Sequence, residues 1–484
     1  MTVTTKATDA SAAADPWRFA AWELAAGIRQ RTFSSREVVQ AHLDRIAAVN
    51  PAVNAITVLM ADAAMEGARE ADRAVAAGGT LGPLHGVPFT VKENLDLVGT
   101  ATTMGLRALA GAYPSRDAPS VERLRAAGAI PLGHTNCPSL AVRWHTDSEL
   151  YGATINPWNA SVTPGASSGG EAVAVATGMS PLGVGNDGLG SLRWPAQCCG
   201  VAALKPTLGR IPDASSTGPG DLAIGVQLTS VNGPMARHVA DLRAALAVMA
   251  GLDPRDPWSV PAPVEGPDLA RPVRVALVLD PGGLGVDPQV ADGLRTAATT
   301  LEDAGYVVEE LEPPGVEEAC RMLLDMLNTP DVRALWTTTA PMLPDDTRRF
   351  LTEFQSVAGE VSALGGFRSL VGRSALLRSW SAFQADHPLI LAPIGSHRPF
   401  AAGRDLDDGA VAETLQRMRM AMAVNALGLP AVAVPVGVGE GLPRVVQIIG
   451  PRFREDACLD AAQALEERLG VLTPIEPRAG DRGS

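Results

Sequence analysis

The sequence predicts an α/β fold, a mixed central sheet covered by helices on both faces. Three observations lead there. Residues 273–279 read as a strand, residues 289–304 as a helix, and residues 306–311 as a second strand, together a β-α-β unit. Residues 86–91 form an apolar run, which reads as a buried strand ending on Lys92. The loop Gly165-Ala166-Ser167-Ser168-Gly169-Gly170 opens directly into Glu171-Ala172-Val173-Ala174-Val175-Ala176, whose pattern reads as a buried helix rather than a flexible linker.

The remaining elements follow in order. Residues 1–16 predict a disordered N-terminus; they are polar at first and lack the basic start and apolar core of a secretory signal. Ser34-x-x-Glu37 fits a capping box, Val39, Leu43 and Ile46 form the apolar stripe of the helix it opens, and Asn50-Pro51 is expected to end it. Residues 316–386 read as helical and irregular, with Phe350, Phe354, Phe367 and Trp380 serving helix packing. The most apolar segment, 422–438, contains Asn425, Pro430 and Pro435, which argue against a membrane span and for a buried strand pair.

Composition narrows the function. A net charge of −13 without a basic run speaks against nucleic acid and anionic membrane surfaces as partners. The five cysteines (Cys137, Cys198, Cys199, Cys320 and Cys458) have no metal-binding spacing and fit the reducing cytoplasm. The seven histidines form no H-x-x-x-H pair. No metal and no cofactor is expected.

Two serines in Gly-rich loops, Ser167 and Ser191, and one lysine in an apolar setting point to a serine nucleophile activated without histidine. A serine hydroxyl attacks only if a base takes its proton. Lysine is a base only when neutral, and burial favours the neutral amine. The alternatives for Lys92 are a strand-end surface position or a pair with Glu93. Residues 165–169 also fit G-x-S-x-G, but the nucleophile elbow needs a strand before it, and residues 159–164 read as loop. Residues 183–188 fit G-x-G-x-x-G by chance, since Leu192-Arg193-Trp194-Pro195 is expected to break any helix there.

With Asn156-Pro157-Trp158-Asn159 and Lys205-Pro206-Thr207, these motifs resemble the amidase signature family of serine hydrolases, over residues 81–105, 133–212 and 423–469. The resemblance implies the amidase-signature fold as a single domain over 17–484, with 316–386 a variable helical region that helps build the substrate pocket. It implies Ser191 as nucleophile, Ser167 as bridging serine after a cis peptide bond, and Lys92 as base. The oxyanion hole would be the N–H groups of Gly188, Leu189, Gly190 and Ser191. Trp144-His145-Thr146-Asp147 aligns with a family segment near the site.

Two residues depart from the family pattern. Leu189 stands where glycine is usual, which is expected to cost the loop freedom at positive φ and to place bulk near the acyl site. Asn186 stands where threonine is usual. The implied activity is hydrolysis of a carbon–nitrogen bond in a small neutral amide or carbamate, with esters as further substrates and a likeness to urethanase-type members. The small molecule is the expected partner, and a homodimer stays open. Two alternatives are the glutaminase component of a transfer-RNA amidotransferase and a catalytically silent binding protein on the same scaffold, against which the intact Lys-Ser-Ser set speaks.

Overall fold

The computed structural model describes residues 15–217 and 221–478. Most of the N-terminal stretch expected to be disordered, 1–14, lies outside the described residues. In chain order the strands are β1 (Ile56–Leu59), β2 (Pro88–Lys92), β3 (Ile130–Thr135), a short ribbon of β4 (Asp147–Ser148) and β5 (Gly152–Ala153), β6 (Leu182–Asp187) and β7 (Ala202–Lys205). They continue with β8 (Val231–Ala236), β9 (Arg274–Leu277), β10 (Val307–Glu310), β11 (Leu389–Ala392), β12 (Ala431–Gly439) and β13 (Leu442–Ile449). Apart from the ribbon they form one sheet of 11 strands, ordered β1-β3-β2-β6-β8-β7-β12-β13-β11-β9-β10. The sheet is mixed: β2 runs parallel to β3 and β6, while β6 and β8 are antiparallel. The expected β-α-β unit is present, with β9 and β10 parallel and the helix Pro288–Asp303 between them.

Strand side chains alternate between faces, which builds one apolar layer on each side. Phe89 and Val91 of β2 pack with Leu182, Val184, Ala202 and Leu204 on one side. Burying such a side chain stabilises the fold by about 1.5–3 kcal/mol. Thr90 and Lys92 point the other way, toward the helix Gly169–Ala176 and the loop before it. That helix is buried along its whole length. Its glycines are required by packing, since a Cβ on Gly170 would lie 2.4 Å from the backbone nitrogen of Asn136.

Three local expectations need correction. The helix opened by the Ser34–Glu37 capping box runs from Ser35 to Val53, through Pro51 rather than ending before it. Pro51 falls in the last turn, and the side chain of Asn50 closes that end by accepting from the N–H groups of Ala55 and Ile56 at 2.9 and 2.8 Å. The segment 422–438 is a helix, Arg419–Leu427, followed by β12, and not a strand pair. A run that is apolar on every side carries no period to separate the two, and Gly428, at φ 65°, marks the change. Leu192-Arg193-Trp194-Pro195 begins a helix, Arg193–Cys199, because proline is tolerated in a first turn, where the N–H has no helical partner. Gly183 and Gly185 lie inside β6, which is why the G-x-G-x-x-G match has no dinucleotide geometry.

Residues 316–386 are helical as expected: Val316–Leu327, Pro330–Thr339, Asp345–Ala358 and Ala363–Asp386. Phe350, Phe354 and Trp380 are buried there, whereas Phe367 is 64% exposed and packs into no core. Among the described residues no helix is long and apolar enough to cross a membrane.

Candidate active site

The C-terminal end of β2 delivers Lys92 into the interior, where it is fully buried. Its Nζ donates to Oγ of Ser167 at 2.7 Å and to Oδ1 of Asn186 at 2.5 Å. Glu93 is turned away and accepts instead from Thr57 and Thr103, which excludes the Lys92–Glu93 pair. Burial lowers the Lys92 ammonium to about 8, with Cys137, Asp187 and Glu171 acting in the opposite sense. Lys92 therefore holds a usable fraction of neutral amine near neutral pH.

Ser167 lies in the loop that opens the helix Gly169–Ala176, and the bond between Ala166 and Ser167 is cis, as the resemblance implies. The residues before the loop are irregular, so the elbow reading of G-x-S-x-G is excluded. The second serine loop follows β6. The two loops are joined by the Ser168 N–H, which donates to the Ser191 carbonyl at 3.2 Å. In this otherwise buried region, Asn186, Gly188, Leu189 and Ser191 are only partly buried and line an accessible rim.

Asp187 organises the second loop. Its fully buried carboxylate accepts the Gly190 N–H at 2.8 Å and the Leu192 N–H at 3.2 Å. It also holds the Arg193 guanidinium by two bonds, at 2.9 and 3.0 Å, and the Asn425 amide at 3.0 Å. Burial pushes this carboxyl up, but Arg193, Lys205 and Asn425 outweigh it and hold the group well below the usual carboxylate range. The four N–H groups expected as oxyanion donors differ in their bonding. Gly190 donates its N–H to Asp187. The N–H groups of Gly188, Leu189 and Ser191 bond to nothing among the described residues. The expected backbone cost of Leu189 is also absent. The positive φ of the loop, 94°, falls on Gly190, where glycine is kept, and Leu189 is not at positive φ.

Several residues of the site were not singled out from the sequence for these roles. Glu171, one turn into the helix after Ser167, is buried beside Lys92 and accepts from Thr90 and from Thr135, the latter at 2.8 Å. Burial raises its carboxyl to about 7. Trp194 donates its backbone N–H to the Gly190 carbonyl at 2.7 Å, and its ring stacks on His397 and Phe400, with centroids 4.9 and 5.7 Å away. His397 is kept neutral by burial, its imidazole lowered to about 4. His145 reaches Thr163 at 3.1 Å and so braces the chain entering the Ser167 loop. The five cysteines are all buried and free, and no metal-binding cluster of His, Cys, Asp or Glu occurs among the described residues.

A mixed sheet with a buried lysine against two joined serine loops suits a hydrolase, and comparison with known proteins names its family. The Amidase family profile matches residues 37–459. The chain is 42% identical over 461 residues to an indoleacetamide hydrolase of Bradyrhizobium diazoefficiens, covering 94% of this chain and 87% of that protein. It is 35% identical to a glutamyl-tRNA(Gln) amidotransferase subunit of Acidothermus cellulolyticus, covering 94% and 96% of the two. Among solved structures, a 6-aminohexanoate cyclic dimer hydrolase superposes with a TM-score of 0.81 at 28% identity, covering 96% of this chain and 99% of that one. A bacterial aryl acylamidase of the amidase signature family superposes with a TM-score of 0.79 at 27% identity, covering 95% and 97%. The chain belongs to the amidase family and is an enzyme that hydrolyses carbon–nitrogen bonds of amides.

Proposed function

We propose that this enzyme hydrolyses small neutral aryl amides, with arylacetamides such as indole-3-acetamide foremost, through an acyl-enzyme on Ser191. The observation that carries the mechanism is the 2.7 Å contact between Lys92 Nζ and Ser167 Oγ, inside a setting that lowers the lysine. Ser191 Oγ attacks the carbonyl carbon while its proton passes to Ser167, whose own proton passes to Lys92. The carbonyl oxygen gains negative charge and is met by the free N–H groups of the Gly188–Ser191 loop. The relay then runs backward and protonates the leaving nitrogen as the C–N bond breaks. A water repeats the sequence on the ester, releasing the acid and restoring Ser191.

The substrate class rests on the indoleacetamide hydrolase similarity and on the apolar packing behind the Ser191 loop. Trp194, Phe400 and neutral His397 stack immediately behind the nucleophile loop. The Arg193 guanidinium is committed to Asp187 and is not offered to a substrate. Carbamates and esters of aryl groups fit the same chemistry, since a phenol or aniline leaves more readily than an alkyl amine. Glutamine is a second reading, favoured by the 35% identity to the amidotransferase component. Comparing kcat/KM for indole-3-acetamide, an anilide, an aryl carbamate, an aryl ester and glutamine tests the reading. The aryl amides are expected to lead, and a strong preference for glutamine overturns it.

A further inference from the structure

Asn186 and Ser167 are the two hydrogen-bond partners of Lys92 Nζ among the described residues. Three ionisable groups face the lysine without bonding to it. Glu171 faces it from the helix Gly169–Ala176 and is occupied by Thr90 and Thr135. Asp187 faces it from the end of β6 and is tied to Arg193. Cys137 follows β3, and burial pushes its thiol up to about 12, so it carries no charge near neutral pH.

The chemistry of the Asn186 contact is specific to an amide. A side-chain amide oxygen carries lone pairs and no hydrogen, so it accepts from Lys92 in either protonation state. A hydroxyl at this position both donates and accepts. It can offer its hydrogen to the single lone pair of the neutral amine, the same lone pair that must take the proton from Ser167. With Oδ1 of Asn186 holding one N–H at 2.5 Å, the amine cannot turn its lone pair that way, and Ser167 Oγ at 2.7 Å is the remaining partner.

We propose that Asn186 is a positioning residue that fixes the rotation of the Lys92 amine, aiming its lone pair at Ser167. This rests on the Lys92–Ser167–Ser191 relay. Two substitutions separate the effect from a merely structural one. Asn186→Asp keeps the shape and adds a negative charge, which stabilises the ammonium. Asn186→Leu removes the acceptor, which destabilises the ammonium and frees the amine to rotate.

The test is the rate of labelling by a fluorophosphonate, measured against pH in the wild type, both variants and Ser191→Ala. The wild-type rate is expected to rise through about pH 8. The Asn186→Asp limb is expected to move up by about 1–3 pH units, as an opposite charge beside a titrating group does. The Asn186→Leu limb is expected to move down, with its plateau reduced roughly 10²-fold by the misplaced base. If the Leu variant does not fold, the isosteric Asp variant decides alone. An Asn186→Asp limb that superimposes on the wild type, while Ser191→Ala abolishes labelling, overturns the positioning role. Labelling that persists in Ser191→Ala at the wild-type rate overturns the relay on which it rests.

Discussion

Lys92 Nζ and Ser167 Oγ lie 2.7 Å apart although 75 residues separate them in the chain, and both side chains are buried. The parallel pairing of β2 with β6 brings the two loops together, since Ser167 precedes the helix that packs on β2 and Ser191 follows β6. A lysine held this way is a base whose strength is set by burial, and its consequences can be measured.

The first is the pH profile. Burial lowers Lys92 from its ordinary value to about 8, so the neutral amine is scarce below that pH and dominant above it. kcat/KM for an aryl amide should therefore rise with pH through about 8 and then level. Lys92→Ala should lower the rate by roughly 10²–10⁴-fold and abolish the rise. A profile flat in pH, or activity that depends on added metal, contradicts the relay.

Ser191→Ala removes one partly buried hydroxyl with little change of volume. Turnover should fall by roughly 10⁴-fold or more. Stability should stay within about 0.5 kcal/mol of the wild type by urea unfolding. Retention of substantial activity rules Ser191 out as nucleophile.

Asp187→Asn leaves the Arg193 guanidinium buried without its counter-charge. Losing one member of such a pair costs about 3–5 kcal/mol. The urea midpoint should drop at constant slope, and activity should fall with it, because Gly190 and Leu192 lose the carboxylate that shapes their loop. An unchanged midpoint shows that the pair contributes nothing net.

Leu189 lies in the loop that carries Ser191, is partly buried and packs against the main core. Leu189→Gly should open the acyl side and raise the ratio of kcat/KM for a bulky over a short-chain anilide by about tenfold. An unchanged ratio places the Leu189 side chain away from the acyl group.

The buried strand ending on Lys92 and the Ser/Gly loop opening an Ala/Val helix are legible in the sequence because short segments carry them, whereas the meeting of Lys92 with Ser167 is implied only by the family resemblance. What is not legible depends on partners distant in sequence. Nothing near Asn186 shows that its amide meets a lysine 94 residues earlier. Nothing in Asp187-Gly188-Leu189-Gly190 shows that the carboxylate takes the Gly190 N–H. Two of the differences in secondary structure share a cause. Pro51 and Pro195 each read as a stop, whereas the position within the first or last turn decides what proline costs.

The most direct measurement is rapid acid quench during turnover of an aryl amide, followed by peptide mass spectrometry. A population of enzyme should carry the mass of the acyl group on the peptide containing Ser191, rising with the released amine and ahead of the acid, and vanishing as substrate is consumed. Steady turnover without any acyl adduct, or an adduct on a different residue, contradicts covalent catalysis by Ser191.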